Sequence, residues 1–305
     1  MPALLPPQLH VFVRDWLSAN NILLKSPDGH VLIDTGYSRH VPLTLALLAT
    51  PRGLGDEPLA KIVVTHAHSD HIGGNAALVA KYGCRIAVPA SEYPLIERWD
   101  TRALLLDYAD QRADRFSADE RLEAGNSHVW GNLEWQALAV PGHDNAALAF
   151  YNPEHRILIS GDALWANGFG FVMPLEIDPA ALPATRATIE MLARLDVRIV
   201  IPGHGEPFTE VNRALDRAMK RVESFEQDPT RMPRHVMKVF FTYALLDRRR
   251  VRCEDLPGYV ERIGIYRDFN RMFFHLPPAQ FAQWLVGSLE DSRAVRREGG
   301  WVMPA

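Results

Sequence analysis

The six positions from His66 to His71 constrain this chain more than any other stretch, because they contain three histidines and an aspartate. They follow an apolar, β-branched run over residues 61–64, which predicts a buried strand, and they precede a helical pattern over residues 75–82. Neutral imidazole and carboxylate are ligands that zinc and similar divalent metals prefer. One histidine at a strand end is usually only a satisfied polar residue, but four candidate ligands followed by Gly73-Gly74 favour a metal site.

The same arrangement, a strand that ends in a loop of small residues with a His or an Asp, occurs three more times. These loops contain Pro141-Gly142-His143, Gly161-Asp162 and Pro202-Gly203-His204. In layered α/β proteins, active sites collect on loops at strand ends, where a rigid sheet positions them. The four loops together contain seven candidate ligands, which is enough for two metal ions. They are His66, His68, Asp70, His71, His143, Asp162 and His204.

Another strand end, over residues 30–34, contributes Asp34-Thr35-Gly36. An aspartate beside a glycine at this place is compatible with two roles. It either forms the turn that leaves the strand, or it hydrogen-bonds a metal ligand from behind and orients it. Both interpretations stay open at the level of the sequence.

In the order and spacing of these motifs, the chain resembles the metallo-β-lactamase superfamily over residues 8 to about 225. The resemblance implies an α/β fold, an αββα sandwich with metals at one edge of its two sheets. It also implies that His66, His68 and His143 bind one ion, that Asp70, His71 and His204 bind a second, and that Asp162 bridges both. Two divalent ions are expected, with zinc favoured and manganese or iron as alternatives.

The retained Asp162 implies the hydrolase branch of this superfamily, which contains glyoxalase II, lactonases and thioesterases. True β-lactamases lack the bridging aspartate, so antibiotic hydrolysis is disfavoured. One departure concerns the residues after His143, which are Asp144-Asn145 where many relatives have Thr or Ser. That departure leaves the metal preference open.

The hypothesis for the chemistry is a dinuclear hydrolase in which a metal-bridging hydroxide attacks the carbonyl of a thioester, an ester or a lactone. Asp70 and Asp162 are the candidate catalytic residues, because a carboxylate beside the hydroxide orients it and takes up its proton. The loop after Asp162 contains three aromatic residues, Trp165, Phe169 and Phe171. They either line an apolar pocket for an acyl chain or pack against a lid formed by residues 100–116.

Two other functions use the same site. The first is a metal-dependent ribonuclease, since residues 231–305 contain 13 Lys and Arg against 8 Asp and Glu, a net charge of +5. The rest of the chain carries −9, which makes nucleic acid a disfavoured partner and a small molecule the expected one. The second is an iron-dependent oxygenase, which is disfavoured because seven ligands suit two ions and because no glycine-rich dinucleotide fingerprint is present.

Two domains are predicted. Residues 1–228 would form the catalytic domain, with an insertion at about 100–120. Residues 100–116 of this insertion have a helical pattern and would be a surface helix, or else a lid or a wall of the substrate site. Residues 229–305 would form a helical, winged-helix-like domain with helices over 232–246, 254–263 and 277–289 and a hairpin over 296–302. The aromatic stripe of the last helix, with Phe281 and Trp284, would pack in the core or form a homodimer contact.

Composition sets the remaining limits on this chain of 305 residues. Its 47% hydrophobic residues include no apolar run near the roughly 18 residues that span a bilayer. Residues 1–10 lack the basic start of a secretory signal, and the two cysteines, Cys84 and Cys253, form no Cys-x-x-Cys motif. A cytoplasmic protein without disulfide bonds or membrane association is therefore expected.

Overall fold

The computed structural model describes residues 5–305 and contains two β-sheets that face each other. The first sheet has six strands in the order of the chain. They are β1 (Leu9–Phe12), β2 (Asn21–Leu24), β3 (His30–Ile33), β4 (Leu59–Val63), β5 (Arg85–Pro89) and β6 (Glu120–Leu122). The first three pair antiparallel, whereas β3 to β6 run parallel.

The second sheet has five strands in the order β11-β10-β9-β8-β7. They are β7 (Ser127–Trp130), β8 (Leu133–Ala139), β9 (Leu148–Asn152), β10 (Ile157–Gly161) and β11 (Ile199–Pro202). The strands β7, β8, β9 and β10 pair antiparallel, each with the next, and β11 pairs parallel with β10. Because β10 and β11 run in the same direction, the loops that follow them lie at the same edge of this sheet.

Alternation along the strands creates two different faces on each sheet. In β2, Ile22 and Leu24 point toward the second sheet, where they join a core that includes Trp135 and Phe150. Leu23, between them, points the other way and packs with the helices outside the first sheet. A strand that is apolar at every position is buried on both faces, which is the pattern of a layered α/β protein.

Helices cover the outer faces of both sheets. The first sheet is covered from outside by α1 (Val41–Leu48), the short α2 (Ser69–Ile72), α3 (Asn75–Tyr82) and α4 (Tyr93–Arg98). The second sheet is covered by α6 (Ala181–Leu192) and α7 (Val211–Gln227). The layers therefore follow the order helix, sheet, sheet, helix, which confirms the predicted αββα sandwich.

The segment after α7 is mainly helical, as predicted, with an additional helix. It contains α8 (Arg231–Arg248), α9 (Leu256–Arg262), α10 (Gly264–Phe269), a π-helical turn over Asn270–Phe274, and α11 (Pro278–Asp291). Its small sheet consists of β12 (Val251–Arg252), β13 (Val295–Glu298) and β14 (Trp301–Pro304). The predicted hairpin is thus present, and the predicted boundary at 228/229 falls between α7 and α8. The division into two domains stays a prediction.

The helix predicted over residues 100–116 is wrong. The structure has one helical turn there, α5 (Leu106–Ala109), and Leu105 and Asp110 on either side of it have positive φ angles of 55° and 56°. A right-handed helix cannot continue through such residues. The apolar side chains that suggested a helical face instead pack individually, with Leu104 and Leu106 buried beside the first sheet.

In the described residues, Phe281 lies in the core of the C-terminal segment, and Trp284 stacks on it at 5.7 Å between ring centroids. The aromatic stripe of α11 is therefore accounted for by core packing, and homodimer formation stays a prediction.

No helix within residues 5–305 is long and apolar enough to cross a membrane. The expectation about a secretory signal rested on residues 1–10, of which residues 1–4 lie outside the described part of the chain.

We expect Phe150→Ala to lower the free energy of unfolding by about 3–5 kcal/mol, because Phe150 is fully buried between the two sheets and its removal leaves a cavity. Val129→Ala, at a β7 position that is 72% exposed, is the control and should change it by less than about 0.5 kcal/mol. Urea titration followed by circular dichroism measures both. Equal losses in the two variants would contradict the packing described here.

Candidate metal centre

The structure brings the seven candidate ligands together at one edge of the sandwich. His66 and His68 lie on the loop after β4, and Asp70 and His71 lie in α2, which begins directly after His68. His143 follows β8, Asp162 follows β10, and His204 follows β11. Within the described residues they form two groups, in each of which the ligand atoms lie within 4.8 Å of one another.

The first group consists of three imidazoles. His68 Nδ1 lies 3.0 Å from His66 Nε2 and 2.9 Å from His143 Nε2. Nitrogens that bind one tetrahedral ion at the usual zinc distance lie about 3.3 Å apart. The spacing of the three nitrogens is therefore close to that of a metal site.

The second group combines two carboxylates with two imidazoles. Asp70 Oδ2 lies 2.9 Å from His204 Nε2 and 3.7 Å from His71 Nε2. Asp162 Oδ1 lies 3.5 Å from the same nitrogen of His71. All four residues are buried, so solvent does not separate them.

Asp162 lies between the two groups. Its Oδ2 is 3.4 Å from His143 Nε2 in the first group, and its Oδ1 faces His71 and His204 in the second. Each oxygen of this carboxylate therefore faces a different set of nitrogens.

Two of the ligands are oriented from behind. Asp34 Oδ2 lies 2.7 Å from His71 Nδ1, and the same carboxylate accepts hydrogen bonds from the backbone and side chain of Thr65. His143 Nδ1 donates to the carbonyl of Phe171 at 2.6 Å. These contacts place the proton on Nδ1 and leave Nε2 of each ring free for a metal. Asp34 therefore has both of the roles considered above. It orients His71 from behind, and with a φ angle of 56° it forms the turn that leaves β3.

Two buried ring nitrogens of the second group have no hydrogen-bond partner in the described residues, His71 Nε2 and His204 Nδ1. Buried polar atoms without a partner are costly, and His71 Nε2 points toward the carboxylates of Asp70 and Asp162. A cation between them would satisfy this nitrogen. The residues present therefore fit a divalent metal centre.

Burial keeps the three imidazoles of the first group neutral. It lowers the pKa of His68 and of His143 to about 4 and that of His66 well below its usual value, and nearby histidines contribute to all three shifts. A metal binds the unprotonated nitrogen, so these rings are ready to act as ligands at neutral pH.

The carboxylates of the second group stay ionised despite their burial. Burial opposes ionisation, but His71 and His204 outweigh its effect. They hold the pKa of Asp70 below its usual value and the pKa of Asp162 well below it. For His71, burial opposes protonation, but Asp34, Asp70 and Asp162 outweigh it and raise the pKa well above its usual value. The buried carboxylates therefore favour positive charge at this place.

Glycines let the backbone approach the ligands closely. A Cβ on Gly203 would lie 2.2 Å from Asp162 Oδ1, and one on Gly170 would lie 2.4 Å from His143 Nδ1. Both distances are shorter than any real contact of a Cβ. The glycines next to the ligand loops are thus required by the space that the ligands occupy.

The three aromatic residues predicted to bind substrate have different positions. Trp165 and Phe171 line a partly open cavity above the ligands, together with His68, Asp70, His143 and Asp162. Trp165 Nε1 donates to Asp162 Oδ1 at 3.2 Å. Phe169 is only 1% exposed, packs in the core between the second sheet and its helices, and does not line this cavity. Phe169 is therefore accounted for by packing, and the contact of Trp165 and Phe171 with substrate stays a prediction.

Tyr243 was missed by the sequence analysis. It lies in α8, and its hydroxyl is 3.2 Å from His204 Nε2 and 3.3 Å from Asp70 Oδ2. Burial and the charge of Asp70 raise the pKa of this phenol well above its usual value, so the hydroxyl keeps its proton and can donate. No local pattern indicates this residue, because only the packing of α8 brings it to the site.

Two other contacts with the ligand loops were also missed. The ring of Trp16, a residue that is 53% exposed, stacks on His204 with 5.4 Å between ring centroids. Glu92 is buried and accepts a hydrogen bond from the backbone of Ala67, between His66 and His68, at 2.8 Å. Both residues hold ligand loops in place from outside the two groups.

Comparison with known proteins gives a consistent result. A family model described as the metallo-beta-lactamase superfamily matches residues 14–204. A hydroxyacylglutathione hydrolase from Rhodopseudomonas palustris (strain HaA2) is 35% identical over 114 residues, which is 37% of this chain and 37% of the relative. The match to that relative thus covers well under half of its length.

Two longer matches extend the comparison. An acyl-coenzyme A thioesterase from Gallus gallus is 27% identical over 209 residues, which is 62% of this chain and 73% of the relative. The crystal structure of a metallo-beta-lactamase family protein from Thermus thermophilus has a TM-score of 0.58 at 20% identity. It covers 98% of this chain and 99% of the other, so the likeness of fold includes the helical C-terminal segment.

We expect Gly203→Ala to reduce the metal content of the purified protein, because the added methyl group would displace the Asp162 carboxylate. Gly287→Ala in α11 is the matched control, since nothing lies within 4 Å of its added Cβ. Elemental analysis measures the metal, and circular dichroism checks the fold. Wild-type metal content in the Gly203→Ala variant would contradict this role of the glycine.

We expect Asp34→Asn to weaken metal binding by roughly 10–100-fold, because the amide cannot hold the Nδ1 proton of His71 as the carboxylate does. Asparagine tolerates the positive φ of this position, so the backbone should be retained. Competition with a chelator gives the affinity. Asp216→Asn, at an exposed position of α7, is the control and should bind metal like the wild type.

Proposed function

Because the chain belongs to the metallo-β-lactamase superfamily, we propose that it is a dinuclear metal hydrolase that cleaves a thioester, an ester or a lactone at its carbonyl carbon. The observation that carries this proposal is the position of Asp162, with one oxygen toward the three imidazoles and the other toward His71 and His204. A buried carboxylate in this position supports two ions rather than one.

His66, His68 and His143 would hold one ion, Asp70, His71 and His204 the other, and Asp162 both. When bound, the ions would supply Lewis-acid polarisation of the carbonyl and a water of lowered pKa. Zinc is favoured by the mixed nitrogen and oxygen donors, and manganese or iron fits the same residues.

The residues of this chain then have distinct roles in the hydrolysis. Asp70 and Asp162 lie at the floor of the cavity, where their oxygens accept hydrogen bonds from an attacking water and take up its proton. The Tyr243 hydroxyl lies beside them and keeps its proton, so it can donate a hydrogen bond to the substrate carbonyl as negative charge develops there.

The relatives favour a thioester within this class of substrates. By their names, one acts on a hydroxyacylglutathione and the other on an acyl-coenzyme A. In this chain, the cavity over the ligands is lined mainly by apolar side chains, which suit an acyl group. A small-molecule substrate is therefore proposed.

No observation favours the ribonuclease. Several arginines of the C-terminal segment already have acidic partners, as Arg248 has in Asp110 and Arg297 in Glu290. The residues described as lining the cavity include no lysine or arginine to receive a phosphate. Part of the basic charge of this segment is thus paired within the protein.

We expect Asp162→Asn to lower turnover by more than roughly 100-fold, because Asp162 faces both ligand groups. Loss of a group that only supports a metal ligand typically costs up to roughly 100-fold. His68→Ala should do the same, with the fold retained in both variants. Asp216→Asn serves as the exposed control. Normal turnover by Asp162→Asn would overturn the dinuclear hydrolase.

The assay is a panel of thioesters, esters, lactones and single-stranded RNA, run beside elemental analysis of the same protein. Hydrolysis of a carbonyl substrate with about two metal ions per chain is the expected result. Cleavage of RNA alone, or one iron per chain with oxygen uptake, would replace the proposal by the corresponding alternative.

A further inference from the structure

The cavity above the ligands is built by three segments that are far apart in the sequence. Leu104 and Leu105 come from the insertion, Trp165 and Phe171 from the loop after Asp162, and α8 contributes a wall that includes Val239. This space is partly open to solvent, and about 50 Å³ of it is free for the centre of a water-sized molecule. The catalytic sandwich alone does not form it, since α8 supplies one side.

The walls of this cavity are in contact with the ligands and with one another. The ring of Phe171 stacks on His68 with 5.4 Å between centroids and meets the ring of Phe240, in α8, at 4.9 Å. An apolar surface therefore runs without interruption from the ligand cluster to the C-terminal segment.

The insertion is fixed to that segment. Asp110 accepts three hydrogen bonds from the guanidinium of Arg248, at 2.7 Å, 2.9 Å and 3.0 Å, and a fourth from the Tyr259 hydroxyl at 2.9 Å. The backbone of Gly264, where α10 begins, lies against the ring of Tyr108, since a Cβ there would be 2.5 Å from that ring. These contacts hold the leucines of the insertion opposite α8, so the cavity is formed before a ligand binds.

The polar groups of the cavity are concentrated at one end. The ligands and Tyr243 form its floor, whereas the walls are apolar apart from Ser69 and Gln111, which hydrogen-bond each other at 2.9 Å. The described lining contains no lysine or arginine. A carboxylate or phosphate enclosed by these walls would have no partner, and an unpaired buried charge is strongly unfavourable.

We propose that this cavity binds the acyl group of the substrate and selects an uncharged, apolar acyl chain, with the carbonyl at the floor beside Tyr243 and the leaving group toward solvent. This inference rests on the proposed hydrolase function. In the reaction, a bond forms between the oxygen of water and the carbonyl carbon, and the bond from that carbon to sulfur breaks. The products are the carboxylic acid and the thiol, which forms when the leaving thiolate takes up the proton that the water has lost.

The test is a series of thioesters of one thiol that carry acetyl, butyryl, octanoyl, palmitoyl or glutaryl groups. For the wild type, kcat/KM should rise by up to roughly fourfold per buried methylene group until the cavity is full. The glutaryl thioester, which is acidic, should be hydrolysed at least about tenfold more slowly than the butyryl thioester.

Variants at Val239 test the cavity in both directions. Val239→Trp fills it, so the ratio of kcat/KM for octanoyl over acetyl should fall at least about tenfold. Val239→Ala enlarges it and should shift the preference toward longer chains. Val129→Trp is the matched control at an exposed position of β7, where the ratio and the activity should stay as in the wild type.

Calorimetry with octanamide, which is neutral and resists cleavage, measures binding to the metal-loaded protein without turnover. We expect binding by the wild type and at least about tenfold weaker binding by Val239→Trp. Two results would overturn the acyl pocket and leave the hydrolase standing. One is equal kcat/KM for all acyl groups, and the other is a ratio of octanoyl to acetyl kcat/KM that is unchanged in Val239→Trp. No carbonyl hydrolysis at all, with octanamide binding that depends on Val239, would overturn the hydrolase and support the pocket.

Discussion

Three buried carboxylates, those of Asp34, Asp70 and Asp162, surround the ring of His71, and the rest of the site depends on this concentration of negative charge. Buried charges of one sign are unfavourable unless positive charge balances them. Imidazoles alone balance them incompletely, since burial keeps the rings of His68 and His143 neutral. The arrangement is therefore suited to bound cations.

The fold keeps these groups in place by tying the ligand loops to a common support. Asn20, which is fully buried between β1 and β2, donates from its side chain to the carbonyls of Pro202 and Gly205 on either side of His204. The backbone of Ala19 donates to the carbonyl of Asp70 at 3.0 Å. One short connection of the first sheet thus fixes two loops, one from each sheet, that carry Asp70 and His204 of the second group.

The C-terminal segment and the insertion act together on the other side of the ligands. Neither contributes one of the seven ligands, yet α8 provides Tyr243 beside the second group and a wall of the cavity. Asp110 of the insertion binds Arg248 at the end of α8. In this fold, strand ends position the seven candidate ligands, and the segments around them supply walls of the cavity.

Local patterns determined most of the secondary structure and the ligand set. Apolar runs bounded by Gly and Pro indicated the strands, and the order of the His and Asp motifs indicated the family and its sandwich, because these features depend on neighbours in the sequence. The same reasoning failed for residues 100–116, where residues with positive φ interrupt the helical pattern, and it missed α10, which begins at a glycine that is unfavourable in helices.

Only the tertiary structure decided what surrounds the ligands. Phe169 and Phe171 are two positions apart in the sequence, yet one packs in the core and the other lines the cavity. Tyr243 is separated from Asp70 by 173 positions and reaches it because α8 packs across the site. The sequence by itself determined which residues can bind metal, since that is a property of their side chains and of the strand ends that carry them. The shape and polarity of the space above them were decided by long-range packing, which no local spacing encodes.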